Sequence, residues 1–292
     1  MNSISFVDLV FTVARTIKSL PPFHGARWNA LLRLAARAAC VDLEKICCLL
    51  VPERQGQKIW RAGDQARLRL GLDPFQAEAA AAMLRVLRDS QIGEGEFCSQ
   101  DSLILSGLEI PTHPGGQPEA VLSVFLDGRQ ALPVCSSEEF SSELATFLSL
   151  GIQPWHLEFH TPARIPRPAG QKESFRYAGP DFFATSPLAL ACLLSRLRRF
   201  LPEVARQQPD EGLRIAELDL RWKDMAYNKD RHMRLGGVFG RIAIQGRPAA
   251  GTALALVAGQ YCGIGKNPRF GLGMYHIPEL EGMHRIPVYP AV

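Results

Sequence analysis

A glycine-rich segment near the end of the chain carries the residues best suited to binding chemistry. Two Gly-x-Gly pairs enclose two cations and an amide: Gly263, Gly265, Lys266, Asn267, Arg269, Gly271 and Gly273. Glycines at this density let a backbone turn tightly and approach a bulky partner with its N–H groups turned outward. Two cations beside such a backbone predict a phosphate chain as the partner. The alternative is a purely structural connection between an apolar helix and a buried strand.

Length and composition bound the classes of protein that this chain can be. Its 292 residues and 47% hydrophobic content predict two packed domains. The formal net charge is only +4, but arginines are clustered, which matters more than the total when the partner is a polyanion. No apolar run approaches the roughly 20 residues that cross a bilayer, and no signal peptide is recognised at the N-terminus. A membrane location is therefore not expected.

The seven cysteines argue for a reduced, cytoplasmic setting. Their number is odd, their spacing is irregular, and no Cys-x-x-Cys pair is present. Zinc binding and dithiol redox chemistry both need closely spaced cysteines. The sequence thus predicts neither a metal site nor a cofactor.

Residues 1–150 are predicted to form an irregular first domain. Its expected elements are strands at 5–17, 46–51, 102–110 and 120–127 and helices at 26–41 and 138–150. Between them, residues 60–95 break the strand pattern with a strong helix and several arginines, so we predict a basic helical insertion there. The domain boundary is expected at 151–154.

Residues 151–292 show the clearer pattern. Strands are expected at 155–161, 213–223, 237–244 and 270–277, with helices at 186–206 and 249–259. The order β-α-β-β-α-β is the ferredoxin-like arrangement, in which two helices cover one face of an antiparallel sheet. The sequence therefore predicts an α+β protein with two tandem ferredoxin-like domains.

Two motifs together resemble a known family. A first strand is followed by Leu-Pro-Pro-Phe-His-Gly (residues 20–25) and a helix, and the C-terminal segment reads Gly-x-Gly-x5-Gly-x-Gly. This combination resembles the CRISPR-associated endoribonucleases that process precursor crRNA, members of the RAMP superfamily. The resemblance covers most of the chain except the predicted insertion.

The resemblance implies a metal-independent cleavage of RNA. In that reaction the 2′-hydroxyl beside the scissile phosphate attacks it, leaving a 2′,3′-cyclic phosphate and a 5′-hydroxyl. The implied partners are a CRISPR repeat stem-loop, the mature crRNA that stays bound, and other effector subunits. The chemistry needs a proton acceptor, a proton donor and cations around the phosphorane, and a histidine can serve as either the acceptor or the donor.

His24 is the first candidate for that role, because the family often keeps a histidine in the loop after the first strand. Some members use other groups, so Arg27, Arg33 and Arg241 are candidates as well. His156 and His160 have even spacing on one predicted strand, which favours packing against one face of a sheet over chemistry.

Three surfaces could bind RNA. The first is the glycine-rich segment already described. The second is the connection between the middle strands of the second domain, with Arg221, Lys223, Lys229, Arg231 and Arg234. The third is the arginine-rich helix with Arg196 and Arg199. A cationic hairpin suits the base of an RNA stem, where shape and phosphates are easier to read than base edges.

Two other functions stay open at this stage. A non-cleaving RNA-binding subunit of the same superfamily would share the glycine segment without needing His24. A nucleotide-dependent enzyme is disfavoured, because dinucleotide and P-loop glycines open a helix, whereas this segment is expected to lead into a strand.

Overall fold

The structure is a computed structural model. It describes residues 5–18, 25–52, 59–89, 103–110, 117–128, 131, 140–151, 153–168, 176–195, 211–228 and 233–282. Within these ranges, no helix combines the length and the apolar character required to cross a membrane.

The chain divides into two compact units. The N-terminal unit contains Ser3–Cys135 together with Arg269–Gly271, and the C-terminal unit contains Ser136–Pro268 and Leu272–Ala291. The division falls before Ser136, earlier than the boundary expected at 151–154. Each unit is built on a four-stranded sheet in which every described strand pair is antiparallel.

The N-terminal unit has the ferredoxin-like strand order. Its strands are β1 (Ser5–Val13), β2 (Cys47–Pro52), β3 (Gln65–Leu72) and β4 (Leu103–Glu109), arranged β2-β3-β1-β4. Its helices are α1 (Gly25–Ala38), α2 (Leu43–Ile46), α3 (Ala77–Asp89) and α4 (Pro118–Leu126). The element order β1-α1-β2-β3-α3-β4 confirms the predicted domain type.

Alternation along β1 supplies one side of the core. Residues two apart point to the same face of a strand, so Leu9, Phe11 and Val13 share a face. Phe11 packs against Trp28 of α1, and Trp28 packs against Trp60, with ring centroids 4.9 and 5.9 Å apart. All three aromatic side chains are buried.

The basic insertion predicted at 60–95 is not confirmed, although the helix predicted within it is present as α3. Residues 65–72 form β3, which pairs with β1 on one side and β2 on the other, and α3 is the second helix of the fold. The buried arginine of β3 explains the difference. Arg69 donates two hydrogen bonds to Asp8 of β1, 2.8 and 2.7 Å long, and both side chains are at most 5% exposed. The local sequence suggests that Arg69 is exposed to solvent, but Asp8 on the neighbouring strand neutralises it.

The strand predicted at 120–127 is wrong, because these residues belong to helix α4. Pro118 stands in the first turn, where its missing N–H costs nothing. Leu122, Phe125 and Leu126 are buried at the three- and four-residue spacing of a helix face. The β-branched and aromatic content had suggested a strand.

The C-terminal unit repeats the same topology. It contains α5 (Ser141–Ser149), β5 (Trp155–Ala163), α6 (Pro180–Thr185), α7 (Ala189–Ser195), β6 (Glu211–Asn228), β7 (Met233–Arg247), α8 (Ala250–Cys262) and β8 (Tyr275–His276). Its strand order is β6-β7-β5-β8. The predicted β-α-β-β-α-β order is confirmed, although the last strand spans two residues rather than 270–277.

Helix α5 belongs with this unit because its buried carboxylate is bound there. Tyr261 of α8 donates a hydrogen bond to Glu143 (2.7 Å), and Gln260 donates a second (3.4 Å). Phe147 packs edge-on against Trp155 of β5 at 5.0 Å. Moving α5 away would leave a buried carboxylate without its donors, so the helix and the sheet form one body.

Candidate nucleic-acid interface

The glycine-rich segment forms a closed loop after α8. Gly263 ends the helix at φ 66°, and the Ile264 N–H donates to the Gly273 carbonyl at 2.8 Å. Gly265, Gly271 and Gly273 also have positive φ, between 72° and 80°. These dihedrals favour glycine strongly, so four glycines are accounted for by backbone geometry.

Two of these glycines also allow close backbone packing. A Cβ on Gly273 would lie 1.9 Å from the Ile264 carbonyl oxygen, and one on Gly265 would lie 2.6 Å from the Arg164 oxygen. The Lys266 N–H donates to that Arg164 carbonyl at 2.9 Å, and the Gly273 N–H donates to Pro162 at 3.0 Å. The loop is thereby fixed to the end of β5.

The expectation that this backbone turns its N–H groups outward is wrong for three of them. The Ile264, Lys266 and Gly273 groups donate within the protein. Lys266 and Asn267 are partly exposed, and Asn267 adopts φ 66°. Arg269 lies in a 3-10 turn, Pro268–Phe270, and is partly exposed. Arg269 forms an ion pair with Glu44 at 3.2 Å, so the loop offers a phosphate the Lys266 and Asn267 side chains rather than those three backbone groups.

The β6–β7 hairpin places two predicted cations on one face. Arg221 pairs in register with Phe239 and Lys223 with Gly237. The Arg221 guanidinium carbon lies 5.2 Å and the Lys223 Nζ 4.4 Å from the centre of the Phe239 ring. Both cations are exposed. The aromatic ring between them was missed from the sequence, because the cross-strand register decides which residue lies there.

Arg241 lies on the same sheet face in a different electrostatic setting. Its register partners are Asp219 on β6 and Glu158 on β5. The side chain is exposed, with a carboxylate-bearing residue on each side. A phosphate at this position would compete with both.

Three histidines share this face, as the even spacing on β5 predicted for two of them. His160 stacks on His276 of β8, with ring centroids 4.4 Å apart and planes 9° apart. Burial of the imidazole, and then the neighbouring His276, lowers the pKa of His160 from its ordinary 6.5 to about 4. His156 Nδ1 lies 2.5 Å from the Glu279 carboxylate. The rings of His160 and His156 are thus engaged in packing and pairing rather than exposed on the sheet.

Of the remaining predicted residues, some are placed and others lie outside the described part of the chain. Arg27 is exposed in the first turns of α1, and Arg33 forms an exposed ion pair with Glu44 at 3.3 Å. The residues outside the described ranges are His24, Arg196, Arg199, Lys229 and Arg231. The backbone of Arg234 lies in β7, and its side chain is not described. Among the described residues, no group of three His, Cys, Asp or Glu side chains is arranged to hold a metal ion.

Comparison with known proteins identifies solved structures of the same fold and one matching family model. Several solved structures share its fold across most of its length. A partial Cas6-RT-Cas1–Cas2 complex matches 94% of this chain at 16% identity and a TM-score of 0.63. A Cas6 product complex matches 95% of this chain at 18% identity and a TM-score of 0.52. Thermus thermophilus Cas6 matches 95% of this chain at 16% identity and a TM-score of 0.50.

Coverage of the relatives differs. The chain spans 46% and 28% of the two chains from complexes that also contain RT, Cas1 and Cas2, but 100% of the chain in the Cas6 product complex. No curated protein matches the sequence. At these identities the solved structures establish the fold alone. The sequence-family model for the CRISPR-associated endoribonuclease Cas6 matches residues 157–275, from β5 to β8. This range contains the glycine-rich segment, and over it the match confirms the resemblance to CRISPR-associated endoribonucleases.

Proposed function

We propose that this protein is an endoribonuclease that binds a CRISPR repeat stem-loop and cuts precursor crRNA to its mature length. The observation that carries the proposal is the match of residues 157–275 to the Cas6 family model. This range includes both the glycine-rich loop and the exposed Arg221–Phe239–Lys223 group of the hairpin.

The proposed reaction is a transesterification that needs no metal ion, since the nucleophile belongs to the RNA. The 2′-hydroxyl loses its proton to a base and forms a bond to the adjacent phosphorus. The bond from phosphorus to the 5′-oxygen breaks, and that oxygen takes a proton from an acid. The products are a 2′,3′-cyclic phosphate and a 5′-hydroxyl.

We assign one of the two proton transfers to His24 and the stabilisation of the phosphorane to Arg27, with Arg241 as a further candidate. A positioned histidine accelerates such a step by about 10²–10⁴-fold. Arginine suits the phosphorane because its planar fork donates to two oxygens at once. The hairpin cations and the loop side chains then hold the RNA, and the product remains bound as a partner for other effector subunits.

The competing function is RNA binding without cleavage, because the binding residues do not depend on the catalytic ones. Arg221, Lys223 and the loop side chains would serve a non-cleaving RNA-binding subunit equally well. The two functions differ in one observable, which is cleavage of the bound RNA.

The test uses the full chain with end-labelled repeat RNA in excess EDTA. We expect one cut that yields a cyclic phosphate, identified by mass spectrometry. RNA with a 2′-deoxyribose at the cut site should bind equally but remain intact, because it lacks the nucleophile. His24→Ala should lower the single-turnover rate by about 10²-fold or more with unchanged affinity. The control is His113→Ala, which changes the histidine of a Pro/Gly-rich stretch of the sequence and should cut normally.

Each failure has a separate meaning. Tight binding of repeat RNA without any cut would refute the nuclease and favour the non-cleaving subunit. Cleavage of the 2′-deoxy substrate would refute the mechanism. Normal cutting by His24→Ala would remove His24 from the site. Absence of binding to any repeat RNA would refute both functions.

A further inference from the structure

A second cationic cluster lies between β5 and α6, beside the glycine-rich loop. The two described ends of this segment pair with each other. Ala178 donates to the Ile165 carbonyl at 2.8 Å, and Arg167 donates to Arg176 at 3.3 Å. This pairing gathers three arginines and a tyrosine that are separated in sequence. We call Arg164, Arg167, Arg176 and Tyr177 the Arg–Tyr cluster.

The tyrosine ring supports one guanidinium closely. The guanidinium carbon of Arg164 lies 4.3 Å from the centre of the Tyr177 ring, and that of Arg176 lies 5.9 Å away. Such distances are typical of cation–π contacts, which hold the guanidinium plane in one orientation. Stacking uses the face of the guanidinium and leaves its N–H edges able to donate to an anion.

The charge of the cluster is not balanced by acids in the part of the chain that the structure describes. Neither Arg164 nor Arg176 forms an ion pair with a carboxylate there, and the Arg164 Nε is buried without a hydrogen-bond partner. Arg167 has a structural role, since its Nε donates to the Tyr177 carbonyl at 3.3 Å and its guanidinium lies over Phe182. Arg164 and Arg176 are thus the members suited to an external anion.

Backbone contacts join the cluster to the loop. The Arg164 carbonyl accepts the Lys266 N–H at 2.9 Å, and Gly265 packs against the same carbonyl. The backbone of Arg164 in the cluster is therefore hydrogen-bonded to the backbone of Lys266 in the loop. Since the backbone is fixed at both positions, an anion that binds there has to order only the side chains.

We propose that Arg164 binds a phosphate group of the RNA backbone, with Tyr177 as the positioning residue that holds its guanidinium and Arg176 as a second cation. The inference rests on the proposed function, which supplies a polyanionic ligand. It adds a phosphate site to the loop and the hairpin. Because phosphates are common to all RNA sequences, this site contributes affinity without sequence preference.

The test measures the affinity of the full chain for 2′-deoxy-blocked repeat RNA over a series of KCl concentrations. Arg164→Gln should weaken binding about tenfold and reduce the slope of log affinity against log salt by roughly one. The loss should be equal for repeat RNA and for RNA of scrambled sequence. Arg88→Gln removes an exposed arginine of the other unit and should change neither quantity.

Two tyrosine variants test the positioning role. Tyr177→Phe keeps the ring and should bind like the unmodified protein. Tyr177→Leu should weaken binding several-fold while retaining the salt slope, because the charge remains but its orientation is lost. Arg164→Lys should likewise retain the slope and lose part of the affinity, and it serves if Arg164→Gln does not fold by circular dichroism.

The proposal and the nuclease function fail in different ways. Unchanged affinity and slope in both Arg164 variants would overturn the phosphate site while the unmodified protein still cuts RNA. Equal losses in Tyr177→Phe and Tyr177→Leu would overturn the positioning role. A protein that binds RNA through Arg164 but never cuts it would refute the nuclease alone.

Discussion

Acid should weaken the C-terminal unit through one half-buried histidine. His160 is stacked on His276 at 4.4 Å, and its pKa is lowered to about 4, first by burial and then by that neighbouring ring. Glu158 lies between His156 and His160 on the same strand face, with an oxygen 3.8 Å from the His276 Nε2, and Glu279 pairs with His156. Of these groups, His276 is the one that contributes to the shift of the His160 pKa.

The sign follows from which state binds the proton more readily. In the unfolded chain His160 titrates near its ordinary 6.5, whereas in the folded protein it titrates near 4. Above pH 6.5 both states are neutral, and the group contributes nothing to the pH dependence. Between 6.5 and 4 the unfolded state holds the extra proton, so the free energy of unfolding falls as the pH falls.

The magnitude can be bounded. Going from pH 7.5 to pH 5, a full shift would lower the free energy of unfolding by about 2 kcal/mol. His160 is only partly buried, and solvent screening reduces this to about 1 kcal/mol. Urea unfolding followed by tryptophan fluorescence at the two pH values measures the loss, since Trp155 lies on the same strand.

Variants separate His160 from the other groups that titrate in this range. Between pH 7.5 and pH 5, His160→Gln should lose about 1 kcal/mol less free energy of unfolding than the unmodified protein. His276→Gln should retain part of the loss, because burial is the larger cause of the shift and remains. An equal acid-induced loss in the unmodified protein and in His160→Gln would refute the reasoning.

Two further predictions concern folding. Gly273→Ala should lower the free energy of unfolding by several kcal/mol, since its Cβ would meet a loop carbonyl at 1.9 Å. Gly128 has a similar φ and open space around it, so Gly128→Ala should lower the free energy of unfolding by about 1–2 kcal/mol in the same urea experiment. Comparable losses would mean that φ rather than packing dominates. Asp8→Asn should cost about 3–5 kcal/mol in urea unfolding because it leaves Arg69 buried without its countercharge, whereas Arg88→Gln on the surface should cost less than about 1 kcal/mol. A mild effect of Asp8→Asn would show that water reaches the pair.

Sequence patterns predicted the C-terminal unit well because its elements have strong periodicity. The alternation at Trp155, Leu157 and Phe159 identifies β5, and the apolar run of α8 identifies a buried helix. In the N-terminal unit the same rules failed at β3. Arg67 and Arg69 broke the expected alternation, yet their carboxylate partners lie on β4 and β1, distant in sequence.

In the candidate site, too, features set by residue type could be predicted, whereas contacts between residues distant in the sequence could not. Four loop glycines adopt positive φ, which local sequence can predict from residue type. The direction of the loop N–H groups depends on Pro162 and Arg164, which are far away in the chain. For the same reason the stacking of His160 on His276 and of Arg164 on Tyr177 required the structure.

The charges on the C-terminal sheet bear on which residues can carry the proposed chemistry. Arg241 has register partners Asp219 and Glu158, so the field that it offers a phosphorane is reduced on both sides. Arg221 and Lys223 instead flank an aromatic ring, which attracts cations but does not neutralise them. A transition state with added negative charge on phosphorus needs uncompensated cations. Arg241 is therefore a weak candidate for stabilising the phosphorane.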